Sequence, residues 1–414
     1  MTSSETKLEA GSAVLPAKGK VRIQALDVIR GISILGILAV NADGFAAPKS
    51  ASLNPSMWLF PNVGWTATSY WLMDAFFHDK FVTLFSLLFG VSLFLVGGER
   101  SDKRRGRLLW RRLGALFLFA MLHGFCIWWG DILALYAVTG VVMTFFQSWR
   151  PKTLMVVGVV LFAIMGCRGL PTTLLPFSPS SARAQAATRT VPDKLALAKR
   201  REKLTADLKE GKSSWTGAER LNRREYLGVL SGYRFGLPAT LGLMMIGLSL
   251  FKSGYLAGRS STRRYVAVAC IGATALATVA YLLWRKDVVG TEFLATDNVV
   301  LLLAPVVSLA YAAMLILALR AGASTFLAPV AAAGRMAFTN YLSQSIIMTS
   351  IFYGGRGGLM GEVNRPVLWG IVGAVWVLQL IWSPLWLRHF EMGPFEWVWR
   401  CLTYGRRVPI VKQA

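Results

Sequence analysis

The sequence predicts an all-α polytopic membrane protein with about ten transmembrane helices and both termini in the cytoplasm. The first observation is composition, since 54% of the 414 residues are hydrophobic and 15 are tryptophan, outside the range of an ordinary soluble domain. The second is that the apolar residues form about ten separate stretches, each long enough to cross a bilayer. The third is that lysine and arginine cluster in the short connections between these stretches.

Each predicted span holds about 20 predominantly apolar residues, the length that crosses the hydrocarbon core as a helix. The predicted spans are 28–46, 81–97, 113–129, 132–148, 154–170, 235–251, 266–284, 299–319, 334–353 and 367–386. Between the first two, Trp65–His78 is apolar but contains Asp74. We interpret it as a re-entrant piece or as the front of the second span, in preference to a separate crossing or an interfacial helix.

The basic residues set the expected orientation, because short cytoplasmic loops carry an excess of lysine and arginine. Lys18, Lys20 and Arg22 precede the first span, and a longer basic run, from Arg100 to Arg112, follows the second. Both lie in the cytoplasm if the spans alternate. The predicted organisation is a cytoplasmic tail (1–23), helices one to five (24–170), a long extracytoplasmic loop (171–234), helices six to ten (235–388) and a cytoplasmic amphipathic tail (389–414).

The long loop 171–234 is basic although the count places it outside, which is tolerated because loops of about 60 residues translocate largely regardless of charge. Within it, Asp193–Lys212 (DKLALAKRREKLTADLKEGK) has the pattern of an amphipathic helix, and Pro171–Pro192 is typical of an irregular linker. A solvated helix is the preferred interpretation. A lid that recognises an acceptor is the alternative.

Composition also limits the partners. The formal charge is +24, but no nucleic-acid recognition motif accompanies it, and its place at the span ends favours anionic membrane lipids over nucleic acid. The cysteines, Cys126, Cys167, Cys270 and Cys401, show no disulfide framework, CxxC motif or metal-ligand spacing. We therefore expect no metal site. The sequence leaves the oligomeric state open, a homo-oligomer included.

The start of the chain also fits a cleavable signal peptide, because basic residues precede the apolar run Ile32–Val40 and small residues follow it. Asp27, Arg30 and Asn41 fit poorly in a segment that is discarded. We prefer a retained first helix.

Polar residues within the predicted helices are the candidate functional groups, since ionisable side chains in a membrane are costly unless paired or facing water. In the first span, Asp27 and Arg30 are one turn apart and can pair. Arg30 and Asn41 are close to three turns apart and share a face. This polar stripe either lines a cavity or anchors a helix end and bonds a neighbouring helix.

A second group lies at the predicted hairpin between the third and fourth spans. His123 precedes the turn and Asp131 follows it, so the hairpin can bring imidazole and carboxylate together. An imidazole held by a carboxylate is a competent general base. The alternative is a single histidine that bonds a backbone carbonyl.

A third group occupies the ninth span: Arg335, Thr339, Asn340, Tyr341, Gln344 and Ser345. Asn340 and Gln344 are one turn apart and face one side, so they either line a polar cavity or bond a neighbouring helix. His78-Asp79-Lys80 interrupts two apolar runs, as a cavity element or as a headgroup anchor. His389 follows the last span, and Phe395–Arg400 has the pattern of an interfacial helix.

Five segments together resemble the YeiB-like family of bacterial inner-membrane proteins (domain of unknown function 418). They are Ala25–Leu38 (ALDVIRGISILGIL), Lys80–Gly90 (KFVTLFSLLFG), His123–Leu133 (HGFCIWWGDIL), Gly334–Ser345 (GRMAFTNYLSQS) and Gly393–Arg400 (GPFEWVWR). The resemblance covers nearly the whole chain. It implies a multi-pass fold in the bacterial cytoplasmic membrane and says less about activity.

The opening Leu26-Asp27-x-x-Arg30-Gly31 is also similar to that of transmembrane acyltransferases, including acyltransferase family 3 and heparan-glucosaminide N-acetyltransferase. This resemblance implies a helical bundle that takes an acyl group from cytosolic acyl-CoA to a sugar outside. The first of those families pairs its arginine with a histidine, and Asn41 stands at that position here. Because a neutral amide cannot accept the proton, either the base has moved to His123 or the chemistry is absent.

The leading hypothesis is a membrane-embedded acyltransferase with acyl-CoA, such as acetyl-CoA, as co-substrate and an extracytoplasmic glycan, lipid or small molecule as acceptor. The basic run, with Arg104 and Arg105, would attract the phosphates of coenzyme A. Arg30, braced by Asp27, would hold the donor.

In the same hypothesis Asn41 orients the thioester or the acceptor, and His123 with Asp131 deprotonates the acceptor. The ninth span would add Arg335, Asn340 and Gln344 to the binding site. All these groups would converge on one chamber. The alternative is a transporter or lipid carrier that uses the same polar cavity without covalent chemistry, and a structural membrane partner is a third, weaker possibility.

Overall fold

The computed structural model describes residues 24–99, 102–167, 194–291, 293 and 295–412. The predicted N-terminal tail 1–23, Arg100 and the predicted linker Pro171–Pro192 lie outside the described residues. Within them the chain forms helices and a single β-bridge between Phe390 and Val411. The all-α prediction is therefore confirmed.

The helices follow one another through mostly short connections. They are α1 (Gln24–Ala46), α2 (Trp65–Phe76), α3 (Lys80–Gly97), α4 (Lys103–Cys126), α5 (Leu133–Met143), α6 (Pro151–Gly166), α7 (Lys194–Ser213), α8 (Trp215–Lys252), α9 (Thr262–Asp287), α10 (Thr296–Arg320), α11 (Ala328–Arg335), α12 (Ala337–Phe352), α13 (Arg365–His389) and α14 (Pro394–Tyr404), with a 3-10 turn at Pro55–Met57.

Every predicted span overlaps a helix, and the ninth corresponds to the pair α11 and α12, which bends at Met336. Among the described residues, 7 helices are long and apolar enough to cross a membrane when α2 and α3 count as one. The helices α5 and α6 are apolar but shorter. The chain is a polytopic membrane protein.

Helix α1 lies inside the bundle and α9 at its edge. In the apolar stretch of α1, 83% of the residues are buried, against 22% in α9. Exposed valine and isoleucine side chains cover the outer faces of α6, α9 and α13, for example Val156, Ile271 and Ile381. Such apolar outer faces are suited to lipid.

The segment Trp65–His78 forms α2 and leads into the second predicted span through a break. Asp79 has a left-handed backbone with φ 62° at this break, and Lys80 begins α3. Lys80 is fully buried, and its ammonium donates to the carbonyl of Asp74 at 2.8 Å. The imidazole Nδ1 of His78 lies 2.6 Å from the Asp74 carboxylate.

Helix α8 runs without interruption through the boundary predicted at residue 234, because the helical pattern continues past Arg234. Its polar N-terminal half packs on α4 and α7. The predicted amphipathic helix is present as α7, which is docked on the bundle: Leu204 is buried, and Asp207 pairs with Arg224 of α8 at 2.6 Å.

A buried ion pair joins the end of α1 to the start of α13. Arg365 donates from Nε and Nη2 to Asp43 Oδ2 at 3.1 and 3.0 Å. Its guanidinium stacks on Trp58 and Tyr70, with centroid distances of 4.0 and 4.4 Å. This pair stabilises the end of the bundle opposite the cavity mouth described below.

Candidate functional site

A cavity of about 290 Å³ penetrates the bundle from the end where α1 begins and α3 ends. By the orientation predicted from the basic loops, this end is cytoplasmic. Its walls come from α1, α3, α4 and α5 on one side and from α11, α12 and α14 on the other. The tail helix α14 therefore helps to form the site. The sequence predicted only an interfacial helix for this segment and no part in a cavity.

Four arginines line the mouth of the cavity: Arg30, Arg112, Arg335 and Arg400. Arg30 Nη1 donates to Asp27 Oδ1 at 3.3 Å, and Nη2 donates to the hydroxyl of Ser92 at 3.5 Å. Arg335 Nη2 donates to the carbonyl of Glu391 at 3.2 Å. These bonds hold both guanidiniums at the rim.

Two glycines bring the arginines together. The carbonyl of Val330 lies only 2.0 Å from where a Cβ on Gly31 would be, and the carbonyl of Asp27 lies 1.9 Å from the same position on Gly334. Helices α1 and α11 thus cross backbone to backbone, which any larger residue would prevent. Arg30 and Arg335, the neighbours of these glycines in the sequence, meet at one mouth as a result.

Arg112 is fixed by the tail helix. Its guanidinium stacks 3.7 Å from the ring centroid of Trp399, and the Trp399 indole donates to the Arg112 carbonyl at 2.9 Å. Arg112 also experiences the positive charges of Arg30 and Arg400. Like charges held close together favour an anionic ligand, because an anion relieves their repulsion.

Glu396 is the acidic residue among those that line the cavity, and its charge is already engaged. Its carboxylate accepts from the backbone amides of Phe338 and Thr339, at 2.7 and 3.1 Å, where α12 begins. Burial raises the pKa of Glu396. The carboxylate thus caps a helix N-terminus, and among the residues that line the cavity four arginines stand against this one acidic side chain, so the mouth is basic.

The interior of the cavity is apolar and ends at Tyr341. Ile34 and Ile37 of α1, Phe85 of α3 and Leu133 of α5 line this part. Tyr341 is 4% exposed, and its hydroxyl makes no hydrogen bond with the described residues, although the backbone amide of Ile132 lies nearby. A buried hydroxyl that faces a cavity without an acceptor is suited to a ligand oxygen.

Behind Tyr341 lies a hydrogen-bonded chain of three side chains. His123 Nδ1 is 2.9 Å from Asp131 Oδ1, and His123 Nε2 is 2.9 Å from Ser345 Oγ. Because a carboxylate only accepts, a neutral His123 carries its proton on Nδ1 and offers Nε2 to the serine hydroxyl. The rings of His123 and Tyr341 lie 5.2 Å apart, so the chain begins directly behind the cavity wall.

The surroundings hold this chain rigidly. Asp131 Oδ2 accepts from the amide of Ala134 at 2.9 Å, which places the carboxylate at the N-terminus of α5. Asn222 of α8 donates to the carbonyl of Gly124 at 2.9 Å. The ring of Tyr226 occupies the space that a side chain on Gly124 would need. Helix α8 thereby fixes the end of α4 that carries His123.

The structure brings together some of the predicted site residues. His123 and Asp131 pair as the hairpin predicted, and Arg30 and Arg335 line the cavity. Ser345 and Tyr341 belong to the third predicted group, but no role was predicted for them from the sequence. Their signal was the helical spacing, since residues 341 and 345 are one turn apart.

Asn340 and Gln344 lie on the other face of α12 and form interhelical bonds, so cavity lining is wrong for them. The Asn340 amide donates to Ser383 at 3.1 Å, and its oxygen accepts from Trp382 at 2.8 Å. Gln344 donates to Gln379 at 2.8 Å. These three bonds lead to α13, and Gln344 also donates to the carbonyl of Ile34 in α1 at 3.2 Å.

Asn41, Arg104 and Arg105 also lie outside the cavity lining. Asn41 is about 16 Å along α1 from Arg30, and the lining residues of α1 end at Ile37. Arg105 donates to the carbonyls of Leu95 and Val96, at 2.7 and 3.0 Å, and so caps α3. Arg104 is exposed. The residue of the basic run that reaches the cavity is Arg112.

The chain matches the family described as "Protein of unknown function (DUF418)" over residues 250–406. It is 33% identical to the uncharacterized protein YxaH of Bacillus subtilis (strain 168), over 97% of this chain and 99% of that protein. It is also 33% identical to the uncharacterized protein YeiB of Escherichia coli (strain K12), over 94% of this chain and 98% of that protein. No solved structure matches the chain.

Proposed function

The chain belongs to the DUF418 family of YeiB-like membrane proteins, and we propose that it is an acyltransferase of the bacterial cytoplasmic membrane. It would move an acyl group from cytosolic acyl-CoA to an extracytoplasmic sugar or other small acceptor. The observation that supports this most is the course of the cavity, from the arginines at its mouth to Tyr341, which contacts the imidazole of His123.

The mouth suits the phosphates of coenzyme A. Guanidinium groups form charge-assisted and bidentate hydrogen bonds with phosphate oxygens, and Arg112 and Arg400 add charges that repel each other in the absence of an anion. The ring of Trp399 holds the guanidinium of Arg112 at the same rim, 3.7 Å from its centroid. The donor would therefore bind with its nucleotide at the rim.

The interior suits the other end of the donor. About 290 Å³ is at the lower end of the range of small-molecule sites. Isoleucine, leucine and phenylalanine side chains would contact the acyl group and its pantetheine arm. The hydroxyl of Tyr341, which has no acceptor among the described residues, would donate to the thioester carbonyl and stabilise the negative charge that develops on its oxygen.

The chain of Asp131 and His123 supplies a general base at the inner end. The Asp131 carboxylate orients the imidazole and stabilises its protonated form, so Nε2 can take a proton from a hydroxyl. His123 and Asp131 are 1% and 3% exposed. Exclusion of water strengthens their interaction and protects the thioester from hydrolysis.

The proposal is tested with purified protein reconstituted in lipid vesicles. Acyl-CoAs of increasing chain length, carrying a labelled acyl group, are added with a cell-envelope extract of lipids and glycans as a source of acceptors. Release of the coenzyme A thiol and transfer of label to the extract are measured. We expect saturable binding, thiol release and transfer. A protein that neither binds nor consumes any of these donors is not an acyltransferase of this type.

A carrier without covalent chemistry is the second candidate, and the break between α2 and α3 favours it. Ionisable side chains cluster there: the buried carboxylate of Asp74 pairs with the half-buried His78, and the buried ammonium of Lys80 donates to the backbone carbonyl of Asp74. Transporters hold ions and substrates at interrupted helices. The same vesicle experiment separates the two candidates. Uptake or release of a labelled amphiphile without any thiol release supports the carrier.

A further inference from the structure

The hydroxyl of Ser345 occupies the nitrogen of His123 that would take a proton from the acceptor. The two atoms are 2.9 Å apart, and both residues are 1% exposed. An acceptor reaches Nε2 only if this hydroxyl moves away. The proton that His123 is placed to remove is therefore the proton of Ser345.

We propose, on the basis of the acyltransferase function above, that Ser345 is a catalytic nucleophile and carries the acyl group as an ester between donor and acceptor. A serine, an imidazole and a carboxylate linked in this order activate a hydroxyl for attack on a carbonyl, on unrelated folds. Here α12 contributes the serine, α4 the imidazole and the turn before α5 the carboxylate.

Tyr341 controls access to this serine. It precedes Ser345 by one turn of α12 and closes the inner end of the cavity. Its hydroxyl makes no hydrogen bond with the described residues, so its side chain can rotate without the loss of a hydrogen bond to them. The movement would admit the thioester from the cavity to Oγ and let the tyrosine hydroxyl follow the carbonyl oxygen.

The first step forms an ester and releases a thiol. Ser345 Oγ attacks the thioester carbonyl carbon while its proton passes to His123 Nε2. The tetrahedral intermediate then breaks its carbon to sulfur bond, and the departing thiolate takes the proton from Nε2. The products are acyl-Ser345 and coenzyme A.

The second step reverses the roles. The acceptor hydroxyl or amine attacks the ester carbonyl and gives its proton to His123 Nε2, which returns it to Ser345 Oγ as the ester bond breaks. Donor and acceptor then never occupy the site together. This order suits a membrane enzyme whose two substrates arrive from opposite sides, because the arginines and Tyr341 line one cavity and His123 and Ser345 lie behind Tyr341.

The test is covalent labelling in the absence of an acceptor. Full-length protein in lipid vesicles is incubated with labelled acyl-CoA, denatured, washed and digested with trypsin. The peptide 336–356, released by cleavage after Arg335 and Arg356, contains Ser345 and no cysteine. We expect the label in this peptide. As an oxygen ester it should resist neutral hydroxylamine, whereas this reagent would remove an acyl group from a thioester on a cysteine.

Three variants complete the experiment. Ser345→Ala and His123→Gln should lose the label, and Ser350→Ala, an exposed serine of the same helix and peptide, should keep it. Ser345→Cys preserves a nucleophile and the side-chain size, so it should be labelled as a thioester that neutral hydroxylamine removes. If Ser345→Ala does not fold, the hydroxylamine sensitivity of the label on Ser345→Cys still shows whether residue 345 carries the acyl group.

The outcomes separate the two proposals. Full acyl transfer by folded Ser345→Ala, with no label in peptide 336–356 of the wild type, overturns the nucleophile and leaves the acyltransferase with His123 as direct base. Label found only in cysteine-containing peptides would likewise reject Ser345 as the nucleophile and leave the acyltransferase proposal standing. Failure of the wild type to bind or consume acyl-CoA rejects the acyltransferase itself.

Discussion

The imidazole Nε2 of His123 lies 2.9 Å from the hydroxyl of Ser345, a residue 222 positions later in the chain. Helix packing alone creates this contact. The Nδ1 atom of His123 is hydrogen-bonded to Asp131, so one buried histidine links a carboxylate to a hydroxyl group. The cavity ends one side chain away, at Tyr341.

Replacement of His123 by glutamine should reduce acyl transfer by about 10²–10⁴-fold, the contribution of a positioned general base. Glutamine retains polar atoms near Asp131 and Ser345 but cannot cycle a proton. The rate of thiol release from acyl-CoA is the measurement. His389→Gln is the matched control, since His389 is exposed on the predicted cytoplasmic side. Undiminished activity in folded His123→Gln contradicts the assigned base.

Arg112→Gln should weaken the binding of acyl-CoA by about tenfold or more, since a hydrogen bond to a charged group contributes about 1.5–3 kcal/mol. Equilibrium binding at low ionic strength is the measurement, because salt screens exposed charges. Arg107→Gln removes the same charge from an exposed position on α4 and should change the affinity little. Equal losses in both variants would mean a diffuse electrostatic attraction and no site at the mouth.

Tyr341→Phe should change stability and activity differently. The hydroxyl has no partner among the described residues, and a buried unsatisfied group costs about 1–3 kcal/mol, so the variant should be as stable as the wild type or more stable. Acyl transfer should fall by about tenfold or more if the hydroxyl stabilises the carbonyl oxygen.

Tyr136→Phe is the control for this stability measurement. Tyr136 is fully buried, and its hydroxyl lies 2.9 Å from that of Ser86. Its loss should lower the thermal stability in detergent, by about 1 kcal/mol. Equal destabilisation of Tyr341→Phe and Tyr136→Phe would show that the Tyr341 hydroxyl is bonded in the folded protein.

Gly31→Ala should destabilise the protein by about 1–3 kcal/mol, the usual cost of excess volume in a packed interior. The added methyl group would lie 2.0 Å from the carbonyl of Val330, so α1 and α11 would have to separate. Gly370→Ala, in α13 with open space around it, should be neutral or stabilise by up to about 1 kcal/mol. Thermal unfolding in detergent compares them, and a tolerated Gly31→Ala argues against the close crossing.

Asp43→Asn should cost about 3–5 kcal/mol, because it leaves the guanidinium of Arg365 buried without its counter-charge. The matched control is Glu219→Gln, whose partner Arg223 lies 2.7 Å away with 57% of its side chain exposed. Exposed pairs of this kind contribute about 0.3–0.5 kcal/mol. Denaturation midpoints that shift equally in both variants would contradict the strength assigned to the buried pair.

The site was only partly predictable. The pairing of His123 with Asp131 followed from a hairpin of two adjacent helices, a local relationship that spacing can express. Asn340 and Gln344 were correctly placed on one face of α12, but spacing does not say which neighbour that face meets. It meets α13, through Ser383 and Gln379, and the cavity lies on the face of Tyr341 instead.

The amphipathic tail shows the same limit. Its pattern predicts a helix with one apolar face, and α14 is present at Pro394–Tyr404. The sequence does not say whether that face meets lipid or protein. In the structure Trp399 covers Arg112, and Glu396 caps α12, which makes the tail part of the cavity mouth.

The sequence by itself determined the class of protein, the position of almost every helix and the family, because hydrophobic length and local motifs are properties of contiguous residues. Tertiary structure alone decided which polar groups meet. The contact of Ser345 with His123, the assembly of the arginines around α1 and α11, and the end of the cavity at Tyr341 depend on how helices distant in the chain cross. Those crossings are set by side-chain packing over the whole bundle, which no local pattern encodes.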